Sequence, residues 1–266
     1  MNEIVETLTV GEGQKTHRIA VRRREGAGPG LVWLGGFKSD MSGTKAQALD
    51  GWAEKAGRAF VRFDYSGHGE SDGRFEDGTI GAWLDDAIAV VTARCHGPQI
   101  FVGSSMGGWL ALLLTRALAR RAAAGALPPE APSVAGLLLI APAVDFTEVL
   151  MWEKFPQKVK DEITAKGFWQ LPSEYADEPT VITRRLIEEG RNHLLLGDLI
   201  ETGCPVRILQ GVQDPDVPWQ HAVDLTSRLA QDDVVLTLIK DGDHRLSRPE
   251  DISRMLRAVE EMPLGG

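Results

Sequence analysis

The sequence predicts an α/β fold, a mostly parallel twisted sheet with helices on both faces, and three observations carry that prediction. Short apolar runs alternate with helical segments along most of the 266 residues, the pattern of parallel strands joined by covering helices. A serine pentad, Gly103-Ser104-Ser105-Met106-Gly107, sits where one such run gives way to a helical segment. A single stretch of about sixty residues, between the runs ending near Ala141 and starting near Cys204, breaks the alternation and is too long for one crossover. The chain therefore reads as one domain, 1–266, with a helical lid inserted over 146–202.

The elements follow in order. Glu3 to Val10 and Thr16 to Arg22 alternate around Gly11-Glu12-Gly13 and read as an antiparallel hairpin. Gly26 to Gly30 reads as a turn and Leu31 to Gly35 as a buried strand. Ala46 to Ala56 has helical spacing, Ala59 to Asp64 is a strand, and a helix is expected from about Ile80 to Cys95. Gln99 to Val102 reads as a strand feeding the pentad, and Trp109 to Ala119 as a helix of good formers after it. Val134 to Ala141, Cys204 to Gly211 and Val234 to Ile239 supply further strands, and Pro249 to Glu261 the last helix. The interrupting segment has helical spacing and carries the large side chains Trp152, Phe155, Phe168, Trp169 and Tyr175.

Composition removes several classes of function. The chain is 43% hydrophobic, enough for a sizeable core, and its net charge of -9 disfavours nucleic acid and anionic membrane surfaces. The clusters Arg22-Arg23-Arg24 and Arg120-Arg121 read as solvated faces. Two cysteines, Cys95 and Cys204, have neither disulfide-framework nor zinc-site spacing, which fits a reducing compartment. Met1 to Val10 is not a signal or transit peptide by pattern. The longest apolar stretch, Val134 to Val144, suits a core strand and not a membrane span. A cytoplasmic protein without stable membrane insertion is the expectation; oligomeric state is left open.

The pentad is G-x-S-x-G, in which the central serine stands on a sharp strand-to-helix turn with its hydroxyl exposed. Ser105 is the candidate nucleophile, since Ser104 would need glycines at Val102 and Met106. A serine needs a base, and the base an orienting acid, in the chain order serine, acid, histidine. Of six histidines, His17, His68, His96 and His193 lie on segments with other roles, and His221 falls early in a helix. His244 follows the last strand in Asp241-Gly242-Asp243-His244 and is the candidate base. Asp214, past the Cys204–Gly211 strand, is the favoured acid, with Asp216 and Asp145 as competitors. Oxyanion donors are expected from the Met106 N–H and, after Gly35-Gly36, the Phe37 N–H. Gly36, Met41, Trp109, Trp152 and Phe155 are the candidate substrate-binding residues, although Trp109 fits ordinary core packing nearly as well. No metal ligands are expected and no cofactor is required for acyl transfer.

These residues together resemble the α/β-hydrolase superfamily over nearly the whole chain. Asp64-Tyr65-Ser66-Gly67-His68-Gly69-Glu70-Ser71 looks like its D-x-x-G-x-G-x-S turn, which implies structural support of the site and a non-catalytic His68. Gly36 to Met41, Phe63 to Gly67, Thr79 to Trp83, Gly103 to Trp109 and Ala141 to Phe146 resemble the ABHD10-like serine hydrolases. That resemblance implies a serine acyl hydrolase on ester or thioester bonds, with small acyl esters or thioesters and S-acylated protein as substrates. A carboxylesterase for small esters such as acyl glucuronides is the alternative, and a non-catalytic ligand-binding protein of this fold a third reading. Animal members of that branch are mitochondrial; the missing leader pattern points to a bacterial protein or a mature form.

Overall fold

The computed structural model describes residues 3–11, 13, 16–128, 130–171, 179–229 and 233–262. Tyr175 and Glu12 lie outside them. β1 (Ile4–Val10) and β2 (His17–Arg24) form the expected antiparallel hairpin, paired from Ile4 opposite Arg23 to Val10 opposite His17. β3 (Ala27–Leu34), α1 (Thr44–Ala56), β4 (Arg58–Phe63), α2 (Ile80–Arg94), β5 (Pro98–Ser104), α3 (Met106–Ala123) and β6 (Ser133–Ile140) follow in the alternation the sequence predicts. After the interrupting segment come β9 (Val206–Gly211), α6 (Trp219–Arg228), β10 (Val234–Ile239) and α7 (Pro249–Glu260).

Among the described residues the main sheet joins eight strands in the order β1-β2-β4-β3-β5-β6-β9-β10. β1 with β2 and β2 with β4 are antiparallel, and the other pairings are parallel. Strands β3, β5, β6 and β9 are covered on both faces, which is why they read as nearly continuous apolar runs. On one face α2, α3 and α6 bury Ile80, Trp83, Leu110, Leu114 and Leu225 against Val32, Phe101 and Leu139. On the other, α1 and α7 bury Leu49, Ala53, Met255 and Val259 against Leu31, Ile100 and Leu138. Burial of such aliphatic side chains contributes roughly 1.5–3 kcal/mol each. No helix among the described residues is long and apolar enough to cross a membrane.

Three local expectations change. The turn expected at Gly26 to Gly30 belongs mostly to β3, which starts at Ala27, passes a cis Gly28-Pro29 bond and pairs irregularly with β4 between Ala27 and Leu31. A strand edge with a bulge accepts glycine and proline that a regular ladder would reject. The arginines of β2 are not a solvated face: Arg24 is buried and paired with Asp50 and Glu54 of α1, Arg23 with Glu6, and Arg22 with Glu70. The segment expected to be helical holds a π-helical turn (Thr147–Trp152), α4 (Gln157–Lys166) and α5 (Arg184–Gly190), but also an antiparallel ribbon. Its strands are β7 (Phe168–Leu171) and β8 (Thr180–Thr183), rich in the aromatic and β-branched residues that favour pleated structure.

Candidate active site

The carboxyl ends of β3, β5, β9 and β10 converge, as they do at ligand sites of open parallel sheets. β5 ends at Ser104, and Ser105 turns the chain directly into α3 with φ 54° and ψ -118°. Its N–H donates to the Ile140 carbonyl at 2.9 Å, and its own carbonyl accepts from Gly108 and Ala143. Side chains at the flanking glycines would overlap backbone: a Cβ on Gly103 meets the Gly107 carbonyl, and one on Gly107 meets that of Leu34. The pentad thus holds a positive-φ serine that a looser sequence could not.

His244 stands on the loop after β10. Its Nε2 is 3.1 Å from Ser105 Oγ and its Nδ1 2.8 Å from Asp214 Oδ2. An ionised Asp214 can only accept, so the Nδ1 proton points to it and the Nε2 lone pair faces the serine. The Asp214 side chain is fully buried while that of His244 is 22% exposed. Asp214 is a satisfied carboxylate: Oδ1 accepts from the Asp216 and Val217 N–H groups, both at 2.8 Å, and Oδ2 also accepts from Gln210 Nε2 at 3.1 Å. The histidine loop is tied back by Lys45 of α1, whose Nζ donates to the Arg245 carbonyl and to Ser247 Oγ.

The competing acids have other partners. Asp216 gives its backbone N–H to Asp214. Asp145, also at positive φ, accepts the N–H groups of Leu195 and Leu196 at 2.9–3.0 Å, and burial pushes its carboxyl above the usual range. Asp214, Asp216 and His244 bring possible ligand atoms within 4.8 Å of one another, but the hydrogen bonds just described already occupy both oxygens of Asp214.

The loop after β3 lies beside the elbow. A Cβ placed on Gly36 would be 3.4 Å from Ser105 Cβ. The Gly36 carbonyl accepts from Ser39 N at 3.2 Å and Ser39 Oγ at 2.8 Å, Lys38 N–H donates to His68 Nε2 at 3.2 Å, and Met41 N–H donates to Asp64 Oδ1 at 2.7 Å. Among the described residues the N–H groups of Phe37 and Met106 have no hydrogen-bond partner.

The other candidate substrate residues are dispersed. Trp109 has no exposed surface; it packs edge-on against Phe146 and donates its indole N–H to the His193 carbonyl at 3.1 Å. Met41 is likewise buried. Neither exposes a wall to a ligand in this conformation, since Trp109 is part of the core beside the sheet and Met41 is buried in the loop after β3. Phe37 is half-buried in a cluster with Phe75, Trp83 and Phe146. The cations of Lys160 and Arg191 both lie over the Trp152 ring, and Phe155 packs on Trp169, all within the interrupting segment. That segment is tied to the rest of the chain by three contacts: Lys38 Nζ reaches Thr180 Oγ1 at 3.2 Å, Gly81 N–H donates to Glu189, and Asp145 holds Leu195 and Leu196.

Sequence reasoning missed Gln210, Ser39 and Lys45. A polar glutamine inside the apolar run of β9 is the one signal that was legible, since a buried polar side chain in a strand needs partners.

The chain is similar to known proteins in both sequence and fold. The Alpha/beta hydrolase family profile matches residues 28–255. The chain is 38% identical over 245 residues to bovine palmitoyl-protein thioesterase ABHD10, mitochondrial, covering 92% of this chain and 76% of that one. A crystal structure of a putative hydrolase from Agrobacterium vitis S4 superposes with a TM-score of 0.93 at 46% identity, covering 98% of both chains. The α/β hydrolase domain-containing protein 10 from mouse superposes with a TM-score of 0.83 at 35% identity, covering 97% of both. The mammalian relatives are all named as mitochondrial, which overturns the expectation of a cytoplasmic protein.

Proposed function

The chain belongs to the α/β-hydrolase family and, within it, to the ABHD10-like serine hydrolases of ester and thioester bonds, and from that premise we propose that Ser105, His244 and Asp214 are its catalytic triad and an acyl-protein thioester its substrate. The observation that carries the residue assignment is the unbroken relay from buried Asp214 through His244 to Ser105, with distances of 2.8 and 3.1 Å.

In this scheme His244 Nε2 takes the Ser105 proton as Oγ attacks the acyl carbonyl, and Asp214 holds the imidazole tautomer and stabilises the imidazolium. The partnerless N–H groups of Phe37 and Met106 donate to the developing oxyanion; each such donor contributes about 2.7–4 kcal/mol to lowering the barrier. Collapse of the tetrahedral intermediate expels the thiol, which takes the proton from His244 and leaves an acyl-Ser105. Water, deprotonated by His244, attacks that ester; the acid departs and Ser105 regains its proton. Every bond change is completed by this chain's own residues and water.

The segment over 146–202 is the lid in this reading. Its support is that Lys38, Gly81, Trp109 and Asp145, which lie in loops after sheet strands or in the first turns of α2 and α3, hold it by hydrogen bonds. The thioester assignment draws on the mammalian relatives, each named a palmitoyl-protein thioesterase. A series of p-nitrophenyl esters from acetyl to palmitoyl, run with matched acyl thioesters, tests it. Activity that rises with chain length and favours thioesters supports a depalmitoylating role. A preference for short or aromatic oxygen esters replaces it with the carboxylesterase alternative. Loss of hydrolysis in Ser105→Ala is required by either.

A further inference from the structure

The strained residue Lys38 follows directly on the Phe37 donor, with φ 57° and no glycine to relieve it. Such a backbone persists only where its surroundings over-determine it. Two contacts do so. Ahead of Phe37, the Gly36 carbonyl is held by Ser39 N and Oγ. A trans peptide places its C=O and the next N–H on opposite sides, so gripping the Gly36 carbonyl sets the direction of the Phe37 N–H. Behind Phe37, the Lys38 N–H is held by His68 Nε2. Phe37 lies between two peptides that are both pinned, and its own N–H, in the first of them, is left without a partner.

We infer that His68 is a positioning residue for the oxyanion hole, accepting the Lys38 N–H and thereby fixing the Phe37–Lys38 peptide next to the Gly36–Phe37 peptide that lies beside Ser105. The inference rests on the reading of Phe37 as an oxyanion donor. His68 suits the task on three counts. Its ring is buried and packed edge-on by Tyr65, Phe75 and Trp83, so it has little freedom to turn. Its Nδ1 lies 3.2 Å from the Ser66 carbonyl, which can only accept; the ring proton therefore sits on Nδ1 and Nε2 is left as an acceptor. Burial, the largest influence on the ring, also holds its imidazolium below the ordinary histidine range, with Asp86 and the Ser66 carbonyl opposing. The loop His68 supports carries two charged groups, Lys38, whose Nζ turns away to Thr180, and Asp40, whose carboxylate accepts from Ser42 N–H. A hydrophobic residue at this position could fill the space but not hold the Lys38 N–H.

The test uses the full chain and a thioether trifluoromethyl ketone that adds to Ser105 as a hemiketal, with its ionisation followed by ¹⁹F NMR against pH. In the wild type the hemiketal hydroxyl should ionise well below the pH at which the free hydrate does. His68→Leu and His68→Asn, whose amide is too short to reach Lys38, should raise that ionisation by about one pH unit and lower kcat about tenfold, with KM within about threefold. His68→Gln, whose Oε1 can take the place of Nε2, should restore both. An unchanged ionisation in either His68→Leu or His68→Asn, or no rescue by His68→Gln, overturns the role of His68. A wild-type hemiketal that ionises like the free hydrate overturns the oxyanion reading itself, whatever the His68 variants do. Ser39→Ala, which removes one of two ties on Gly36 and leaves the His68 ring packing untouched, should shift the ionisation in the same direction by less.

Discussion

Asp214 and Asp145 are both buried carboxylates just past the ends of paired strands β9 and β6, and their partners separate their roles. Asp214 faces His244, whereas Asp145 faces two backbone N–H groups of the inserted segment. Asp214→Asn is therefore expected to lower kcat by about 10⁴, through loss of the productive imidazole tautomer. Asp145→Asn keeps an acceptor for those N–H groups and should cost less than about tenfold in kcat; steady-state kinetics on one ester distinguish the two. The free thiol of Cys95 is buried, and burial pushes its pKa up to about 12. A thiol-specific disulfide reagent at pH 8 should leave Cys95 unmodified in the folded chain and modify it in urea, as peptide mapping would read. Lys45 carries the opposite consequence of burial, which, with Arg245 nearby, lowers its pKa from 10.5 to about 8. Its folded-state pKa lies below its unfolded value, so the unfolded chain holds more protons between pH 8 and 10.5 and stability gains with pH there. Urea unfolding of wild type against Lys45→Met should show the difference moving toward the wild type across that window.

Among the elements, helix α2 shows how a local signal is read in the fold: Thr79 caps it, its side chain accepting from Ala82 N–H at 3.2 Å. Thr79→Ala should lower stability by about 1 kcal/mol, measured by chemical unfolding. Elements with strong local signals were legible from the chain alone. β10 falls at Val234–Ile239 as expected, and the pentad announces both the end of β5 and the start of α3. The candidates Ser105, Asp214 and His244, which the structure brings within hydrogen-bond reach, were legible too, since each follows a recognisable strand. β7 and β8 were not, because four-residue strands lie below the length at which alternation separates from helical spacing. The ties of Ser39 and His68 to the loop after β3 were invisible for a different reason: they join a side chain to a backbone group, and no residue pattern encodes which carbonyl or N–H will be within reach.

Across the whole molecule, the antiparallel edge β1-β2 is joined to the parallel sheet by charge as well as by pairing. Arg24 of β2 is buried against Asp50 and Glu54 of α1, and Arg62 of β4 lies against Glu3 beside β1. Breaking a buried pair by removing one member leaves an uncompensated charge, so Arg24→Leu should cost about 3 kcal/mol in unfolding free energy. The same variant should leave the acyl-chain preference unchanged, since Arg24 sits at the carboxyl end of an antiparallel strand and takes no part in the Ser105–His244 contact; a chain-length series on the variant checks this. At the opposite end of the sheet, the interrupting segment departs just after Asp145 and comes back at Leu195 and Leu196, where that one carboxylate grips the returning backbone. Entry and exit are therefore neighbours in space, the condition under which an excursion can be replaced without reshaping its host. In the lid reading, a chimera that keeps Asp145 and imports another family member's 146–194 is expected to take on the donor's chain-length preference, measured on the ester series, while the sheet and its loops keep their places.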